Sequence, residues 1–341
     1  NRDALAWLAS LMEAAGLRPH IDAAGNLIGR RPGRDPEAPT LLTGSHVDTV
    51  PNGGHYDGIV GVLGALEVAR TLHEAGVVLE HPLEVAVWSN EEGGKTGSRS
   101  VAGAVSRAEL DLPSFGTPTL GEGIAFLGGD PARIEANARA PGTVAAYLEL
   151  HVEQGAVLDR TGLAIGVVDG IVGIRRWLVT VEGFANHAGT TPMDQRRDAL
   201  LAAARFVLAV REVITAEAGS QVGTVGRIRA EPGVPNVIPG RVEASLEIRD
   251  LRMERIGSLF RRIEAEAARI GRETGTRFSF TQFYESPAAT SDPRVSALVE
   301  GSAQRLGLAY RHMPSGAGHD AQSFRDLTPL GMIFVPSRDG I

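Results

Sequence analysis

Residues 40–58 read TLLTGSHVDTVPNGGHYDG, and this stretch decides the fold. Thr40-Leu41-Leu42-Thr43 is an apolar run of strand length that enters Gly44-Ser45-His46. Residues 58–75 then place Val62, Leu63, Leu66 and Ala69 along one helical face. A strand that ends in a polar cluster and passes directly into a helix opens a β-α unit. Side chains at such a strand end project into the crevice above a parallel sheet. The alternation continues from Pro39 to Val181: Leu83–Trp88 is a second strand, ending at Ser89-Asn90-Glu91-Glu92, and Ala145–Leu150 is a third, ending at His151. The expected fold class is α/β, with a mixed sheet flanked by helices. Residues 103–143, rich in Gly and Pro, are expected to be irregular surface structure.

A different rhythm occupies 175–286. Arg176–Val181 is strand-like, 194–217 is a long Ala/Leu-rich helix, and 222–229 and 242–249 alternate as strands. Arg252–Thr274 is helical again and Arg277–Tyr284 is a last strand. The order β-α-β-β-α-β is that of an α+β ferredoxin-like unit. It predicts an inserted domain over 175–286, with 1–174 and 287–341 together forming the other. Residues 292–307 return to helix and 332–335 to strand.

The chain has 341 residues, 34 Lys+Arg against 41 Asp+Glu, and a formal net charge of −7. An acidic balance argues against a nucleic-acid partner, which calls for a basic surplus. Almost all the positive charge is Arg; Lys95 is the single lysine. With no Cys there is no disulfide framework and no thiolate metal site, so a metal must take His and carboxylate. The longest apolar stretch, 58–69, holds Glu67 and is too short to span a bilayer. The N-terminus lacks a secretory pattern, so the expectation is a cytoplasmic protein with no membrane partner. The chain starts at Asn1 and stops after Asp339-Gly340-Ile341, which reads as trimming at both ends.

The chemistry-bearing residues sit at the strand ends. His46 leaves one strand into the crevice, and Asp48, two residues on, can face the same way and hold the imidazole through its second nitrogen. Asp57 follows a Gly-Gly turn at the start of a helix, where it reads equally as an N-cap. Glu91 and Glu92 are adjacent carboxylates that repel unless a cation lies between them. His151 ends another strand, and Ser315-Gly316-Ala317-Gly318-His319-Asp320 is a small-residue loop that opens a helix and offers backbone N–H groups to an anion. A His/carboxylate set without thiolates suits two divalent cations such as Zn, Mn, Co or Ni.

These residues carry a family resemblance. The run GSHVDTV, GGHYDG, NEEG, LHVEQG, NHAGTTPM, PNVIPG and SGAGHDA, in that order from about residue 5 to the last residue, resembles the amidase, hydantoinase/carbamoylase branch of the M20 metallopeptidase superfamily. That branch includes N-carbamoyl-L-amino acid hydrolases, allantoate amidohydrolases and β-ureidopropionases. The resemblance implies a metal-binding catalytic domain with an inserted lid and dimerisation domain, hence a homodimer. It implies that His46 and His151 are metal ligands, that Asp57 bridges two metals, that Glu92 binds the second, and that Glu91 is the general acid/base. His187 would stabilise the oxyanion, in its own or the partner subunit's site. Asn236 and Arg249 would hold the substrate carboxylate, Gln154 its polar end, and Gly316 and Gly318 would offer main-chain donors. Asp48 would support His46 rather than bind metal.

The implied activity is hydrolysis of a small ureido acid, N-carbamoyl-L-amino acids first and allantoate second. A metallo-aminopeptidase or dipeptidase fits Gln154, Asn236 and Arg249 less well, and a non-catalytic ureido-acid-binding protein has to explain Glu91 and Glu92. Two departures stand out. The family's last ligand is a His in a Ser-His just beyond Phe-Val-Pro-Ser-Arg-Asp-Gly-Ile, where this chain ends, which is expected to reflect truncation. The stretch Gly93-Gly94-Lys95-Thr96-Gly97-Ser98 is also shorter than in many relatives and leaves the substrate open. His20, His55, His73, His81 and His312 lack motif partners and read as surface or structural residues, and His319 with Asp320 as orienting the glycine loop.

Overall fold

Thr40–His46 lies in the interior of a sheet, parallel to Leu83–Trp88 on one side and to Val144–Val152 on the other. Leu330–Val335 runs parallel to Val144–Val152 in turn. Every residue of Leu83–Trp88 is buried, as expected of a parallel strand covered on both faces. Antiparallel strands Leu27–Arg31 and Arg18–Ile21 extend one edge. On the other side Leu330–Val335 pairs antiparallel with Ile165–Ile171, which also takes Ala289–Thr290 and Tyr310–Ser315. The result is a mixed nine-stranded sheet. The computed structural model describes residues 2–114 and 116–341.

Helices cover this sheet for reasons visible in their spacing. Arg2–Ala14 buries Leu5, Leu8 and Met12, and Ile59–Glu74 buries Val62, Ala65, Leu66 and Ala69, each set on one face. Burial of a Val or Leu side chain contributes on the order of 2 kcal/mol. The two helices share a core with Leu83, Val85 and Val87.

The chain divides into two units: Asn1–Ile171 with Ala289–Ile341, and Val172–Ala288. In the second unit Arg241–Asp250 pairs antiparallel with Gly173–Glu182, which pairs with Arg277–Ser286. Val222–Thr224 and Ile228–Glu231 flank Arg241–Asp250 on its other side. Alternate residues of Arg241–Asp250 are buried, so one face of this sheet is covered. The helices Ala199–Thr215 and Met253–Thr274 cover it, with Phe206, Val210, Leu259 and Ile263 in a common core and Phe260 stacked on Trp177 at 4.2 Å. Apart from the short pair Asn186–His187 and Val237–Ile238, the element order is the expected β-α-β-β-α-β with its second strand split into Val222–Thr224 and Ile228–Glu231.

Several local expectations are corrected. Residues 103–143 are not irregular throughout: a helix at Leu120–Phe126 and 3-10 turns at Arg107–Asp111 and Pro131–Asn137 close on a small core of Ala24, Val105, Ile124 and Ile134. Each element is one or two turns long, too short for a helical period to show. The helix expected from 194 starts at Ala199, where the Asp198 carboxylate caps Leu200 and Leu201 N–H. The strand expected over 222–229 is two, interrupted at Val225-Gly226-Arg227. The glycine loop opens only a five-residue 3-10 turn, Asp320–Phe324, not a helix with an anion-binding end.

Candidate metal and hydrolytic site

Because the four strands Thr40–His46, Leu83–Trp88, Val144–Val152 and Leu330–Val335 are parallel, their carboxyl ends lie on one edge. That edge brings His46, Asp57, Glu91, Glu92 and His151 together. The His46 Nε2 lies 3.9 Å from Asp57 Oδ1 and 3.8 Å from Glu91 Oε2, and His151 Nε2 lies 3.2 Å from Asp57 Oδ1. The two imidazole centroids are 5.7 Å apart with Asp57 facing both. Ligand atoms of His46, Asp57 and His151, and separately of His46, Glu91 and Glu92, fall within 4.8 Å of one another.

The hydrogen bonds fix which ring nitrogen faces the cluster. His46 Nδ1 is 2.9 Å from the Asp48 carbonyl oxygen, and His151 Nδ1 is 2.9 Å from that of Val152. A carbonyl only accepts, so Nδ1 carries the proton in both rings and Nε2 points a lone pair at the Asp57 carboxylate. Two acceptors facing each other require a positive charge between them, a proton or a metal ion. The donor set therefore fits a divalent metal, with imidazole and carboxylate as borderline and hard ligands. Gly58 makes the approach possible: at φ 67 it accepts no side chain, and a Cβ there would lie 2.6 Å from the His46 ring.

Electrostatics report the same demand for positive charge. Without a metal the positive charge is a proton: protonated His151 donates Nε2–H to Asp57 at 3.2 Å and holds that carboxyl below the usual carboxylate range. Burial alone would lower the pKa of His151, but Asp57 and Glu149 raise it. Burial pushes Glu91 up to about 7, and burial with the neighbouring Asp57 raises Glu92. A carboxyl poised near neutrality can both take and return a proton.

The support around these groups differs from the sequence reading at Asp48, and at Asp57 it excludes one of the two alternatives. It is the Asp48 main-chain carbonyl that holds the His46 ring. The Asp48 carboxylate, 3.8 Å from His46 Nδ1, instead accepts the N–H of Glu91 at 3.3 Å and of Glu92 at 3.1 Å. It thus fixes the loop that carries both acids. Asp57 does not cap the following helix, whose N-cap is Gly58 with no side-chain hydrogen bond; its carboxylate faces His151 and accepts Gln154 Nε2 at 3.2 and 3.0 Å.

Residues beyond the expected metal ligands complete the floor. Glu149, fully buried, accepts the Ser45 hydroxyl and the Ala321 N–H, each at 2.8 Å. Its signal was present: it is two residues before His151 and so on the same strand face. Tyr147 accepts from Trp88 Nε1 and donates to the Gly44 carbonyl, both at 2.9 Å, tying three strands together. His319, held neutral by burial and the nearby imidazoles, stands edge-on to His151 at 4.4 Å, with Nε2 2.8 Å from the Ser315 hydroxyl. Lys95 Nζ donates to Gln322 Oε1 at 2.8 Å and lies against Gly318 of the glycine loop. Gly316, in the same loop, has open space where a side chain would be.

In the Val172–Ala288 unit, His187 is exposed on the short strand Asn186–His187, which pairs with Val237–Ile238. Its Nδ1 accepts the N–H groups of Gly189 at 3.0 Å and Thr190 at 3.2 Å, so its proton is on the outward Nε2. Asn236 precedes Val237 and its carbonyl accepts the Ala188 N–H, which joins the two loops. Arg249 Nε is held by Glu247 at 2.7 Å.

Residues 42–341 match the peptidase family M20/M25/M40. The chain belongs to this family. It is 42% identical to the N-carbamoyl-L-amino acid amidohydrolase of Geobacillus stearothermophilus, over 100% of this chain and 84% of that protein. It is 35% identical to the allantoate amidohydrolase of Bacillus subtilis, over 97% and 81%. The crystal structure of a hydantoinase/carbamoylase family amidase from Burkholderia ambifaria is similar at a TM-score of 0.91 and 35% identity, over 98% of this chain and 82% of that one. The M20 family is hydrolytic and its enzymes bind divalent metals, as the donor set here allows. Among the described residues no helix is long and apolar enough to cross a membrane.

Proposed function

We propose that this protein is an N-carbamoyl-L-amino acid amidohydrolase using two divalent ions of the Zn, Mn, Co or Ni type. The observation that carries the reading is the pair of imidazole Nε2 atoms turned on Asp57, 3.9 and 3.2 Å from its Oδ1, beside the Glu91 carboxyl. His46, Asp57, His151 and Glu92 would hold the ions, Asp57 being the carboxylate that faces both imidazoles. Ions bound there would supply Lewis acidity toward the carbamoyl carbonyl and would make water more acidic. Glu91 takes the proton of the attacking water and returns it to the leaving nitrogen. His187 donates its Nε2 proton in a hydrogen bond to the developing oxyanion. Arg249 and Asn236 take the substrate carboxylate, the guanidinium by a two-point fork, and Gln154 and the main chain at Gly316 and Gly318 take the polar end. The N-carbamoyl amino acid and one water give the amino acid, ammonia and carbon dioxide.

The same groups serve allantoate, which the Bacillus subtilis relative's name supplies as the alternative. We place the enzyme in the cytoplasm as a homodimer joined through the Val172–Ala288 unit. Ammonia release by metal-loaded protein, assayed on N-carbamoyl-L-amino acids and on allantoate, tests the reading. Turnover of N-carbamoyl-L-amino acids above allantoate is expected, and turnover of allantoate alone reverses the assignment.

A further inference from the structure

Glu247 and Arg249 are two residues apart on Arg241–Asp250, so both side chains rise from the sheet face opposite the buried one. Arg176 stands directly across from Glu247 on Gly173–Glu182, and Tyr284 across from Arg176 on Arg277–Ser286. The Glu247 carboxylate takes both guanidiniums at once: Oε1 accepts Arg249 Nε at 2.7 Å, and Oε2 accepts Arg176 Nε at 2.6 Å. Arg176 is itself secured, its guanidinium carbon 4.8 Å from the centre of the Tyr284 ring. Burial alone would raise the Glu247 pKa, but the hydrogen bonds from Arg249 and Arg176 hold it below the usual carboxylate range.

A partly exposed ion pair contributes little to stability. Its value here is geometric. A mobile arginine gives up rotamer freedom when it clamps an anion, and that loss weakens binding. Glu247 restricts Arg249 beforehand, through a carboxylate that a second strand already fixes. With Nε turned to Glu247, the other N–H donors of Arg249 are those of its two terminal nitrogens, the end-on fork that matches a carboxylate.

We propose that Glu247 is a positioning residue for the substrate carboxylate: it turns Arg249 end-on toward that group, with Arg176 and Tyr284 holding Glu247 in place. The inference rests on the ureido-acid reading above, in which Arg249 takes the carboxylate. The test is a double-substitution cycle in metal-loaded protein, read as KM and kcat on an N-carbamoyl-L-amino acid and on its carboxamide, which has no carboxylate to clamp. Glu247→Ala raises KM for the acid by about 2–12-fold, the range for ordering one long side chain, and changes kcat less. In the Arg249→Ala background the same substitution adds no further rise, because Glu247 acts through Arg249. KM for the carboxamide stays level in Glu247→Ala. The milder Glu247→Gln shifts KM for the acid in the same direction and carries the test if the alanine variant does not fold. Equal losses in both backgrounds, or on both substrates, overturn positioning in favour of a general structural role. A KM raised by Arg249→Ala but by neither Glu247 variant overturns the positioning alone. No turnover of any N-carbamoyl amino acid by the unaltered protein overturns the ureido-acid reading itself, and the positioning falls with it.

Discussion

His46 and His151 of the larger unit and His187 of the smaller are held by opposite backbone groups at Nδ1. His46 and His151, buried at strand ends of the larger unit, donate Nδ1–H to backbone carbonyls and offer Nε2 lone pairs to the cluster. His187, exposed in the smaller unit, accepts backbone N–H groups at Nδ1 and presents Nε2–H outward. The same side chain becomes a cation ligand in one setting and a hydrogen-bond donor in the other. What differs is the backbone group placed against Nδ1: a carbonyl at a strand terminus, or the N–H groups of a turn. The larger unit thus assembles a site for positive charge, and the smaller presents a donor suited to negative charge.

The sharpest way to break this contrast is to remove the proton carrier without touching the ligands. Glu91→Gln is expected to lower kcat by about 10³-fold or more while metal titration by calorimetry stays close to that of the unaltered protein. Lost metal binding in that variant would move Glu91 into the ligand set. His187→Ala should lower kcat by about 10²–10³-fold with metal content unchanged, because an exposed oxyanion donor is lost and no ligand is. Metal loss accompanying the activity loss would erase the distinction between the two kinds of histidine.

Acid–base behaviour sharpens the picture of the larger unit. Burial raises the Glu91 pKa from 4.5 to about 7, so the folded metal-free protein keeps a proton that the unfolded chain has released across that window. Its stability should fall as pH rises from about 4.5 to about 7, by up to about 3 kcal/mol. Urea unfolding of metal-free protein checks this: Glu91→Gln should lessen the slope, the remainder belonging to Glu92, Glu149 and Asp320, whose carboxyls burial also raises, and an unchanged slope would assign it wholly to those groups. A smaller effect is expected of Asp48→Asn. Weakening the carboxylate that holds the Glu91 and Glu92 N–H groups should cost about 10–100-fold in metal affinity, as supporting groups around ligands generally do. Tight binding in that variant would show that the Glu91–Glu92 loop needs no such anchor.

Much of this was legible in the chain. The strand ends bearing His46, Glu91, Glu92 and His151 were visible as polar clusters terminating apolar runs, because burial on both faces forces a parallel strand to be apolar along its length. The helix Met253–Thr274 was equally plain, its buried residues recurring at helical spacing. What escaped was short or conditional. Arg18–Ile21 and Leu27–Arg31 are four and five residues long and carry little period of their own. The helix at Leu120–Phe126 exists within a loop-like composition because Thr119 caps it and Ile124 has a core to enter.

The amino-acid sequence determined which chemistry was available: imidazoles and carboxylates, no thiolates, placed at the ends of runs whose pattern compels strands. Only the tertiary structure decided how each group is used. The tautomer of a histidine, the turning of Asp48 toward the Glu91–Glu92 backbone, and the neutrality of His319 depend on groups distant along the chain. Hydrogen-bond partners and desolvation are set by what packs against a side chain, and no local pattern records that.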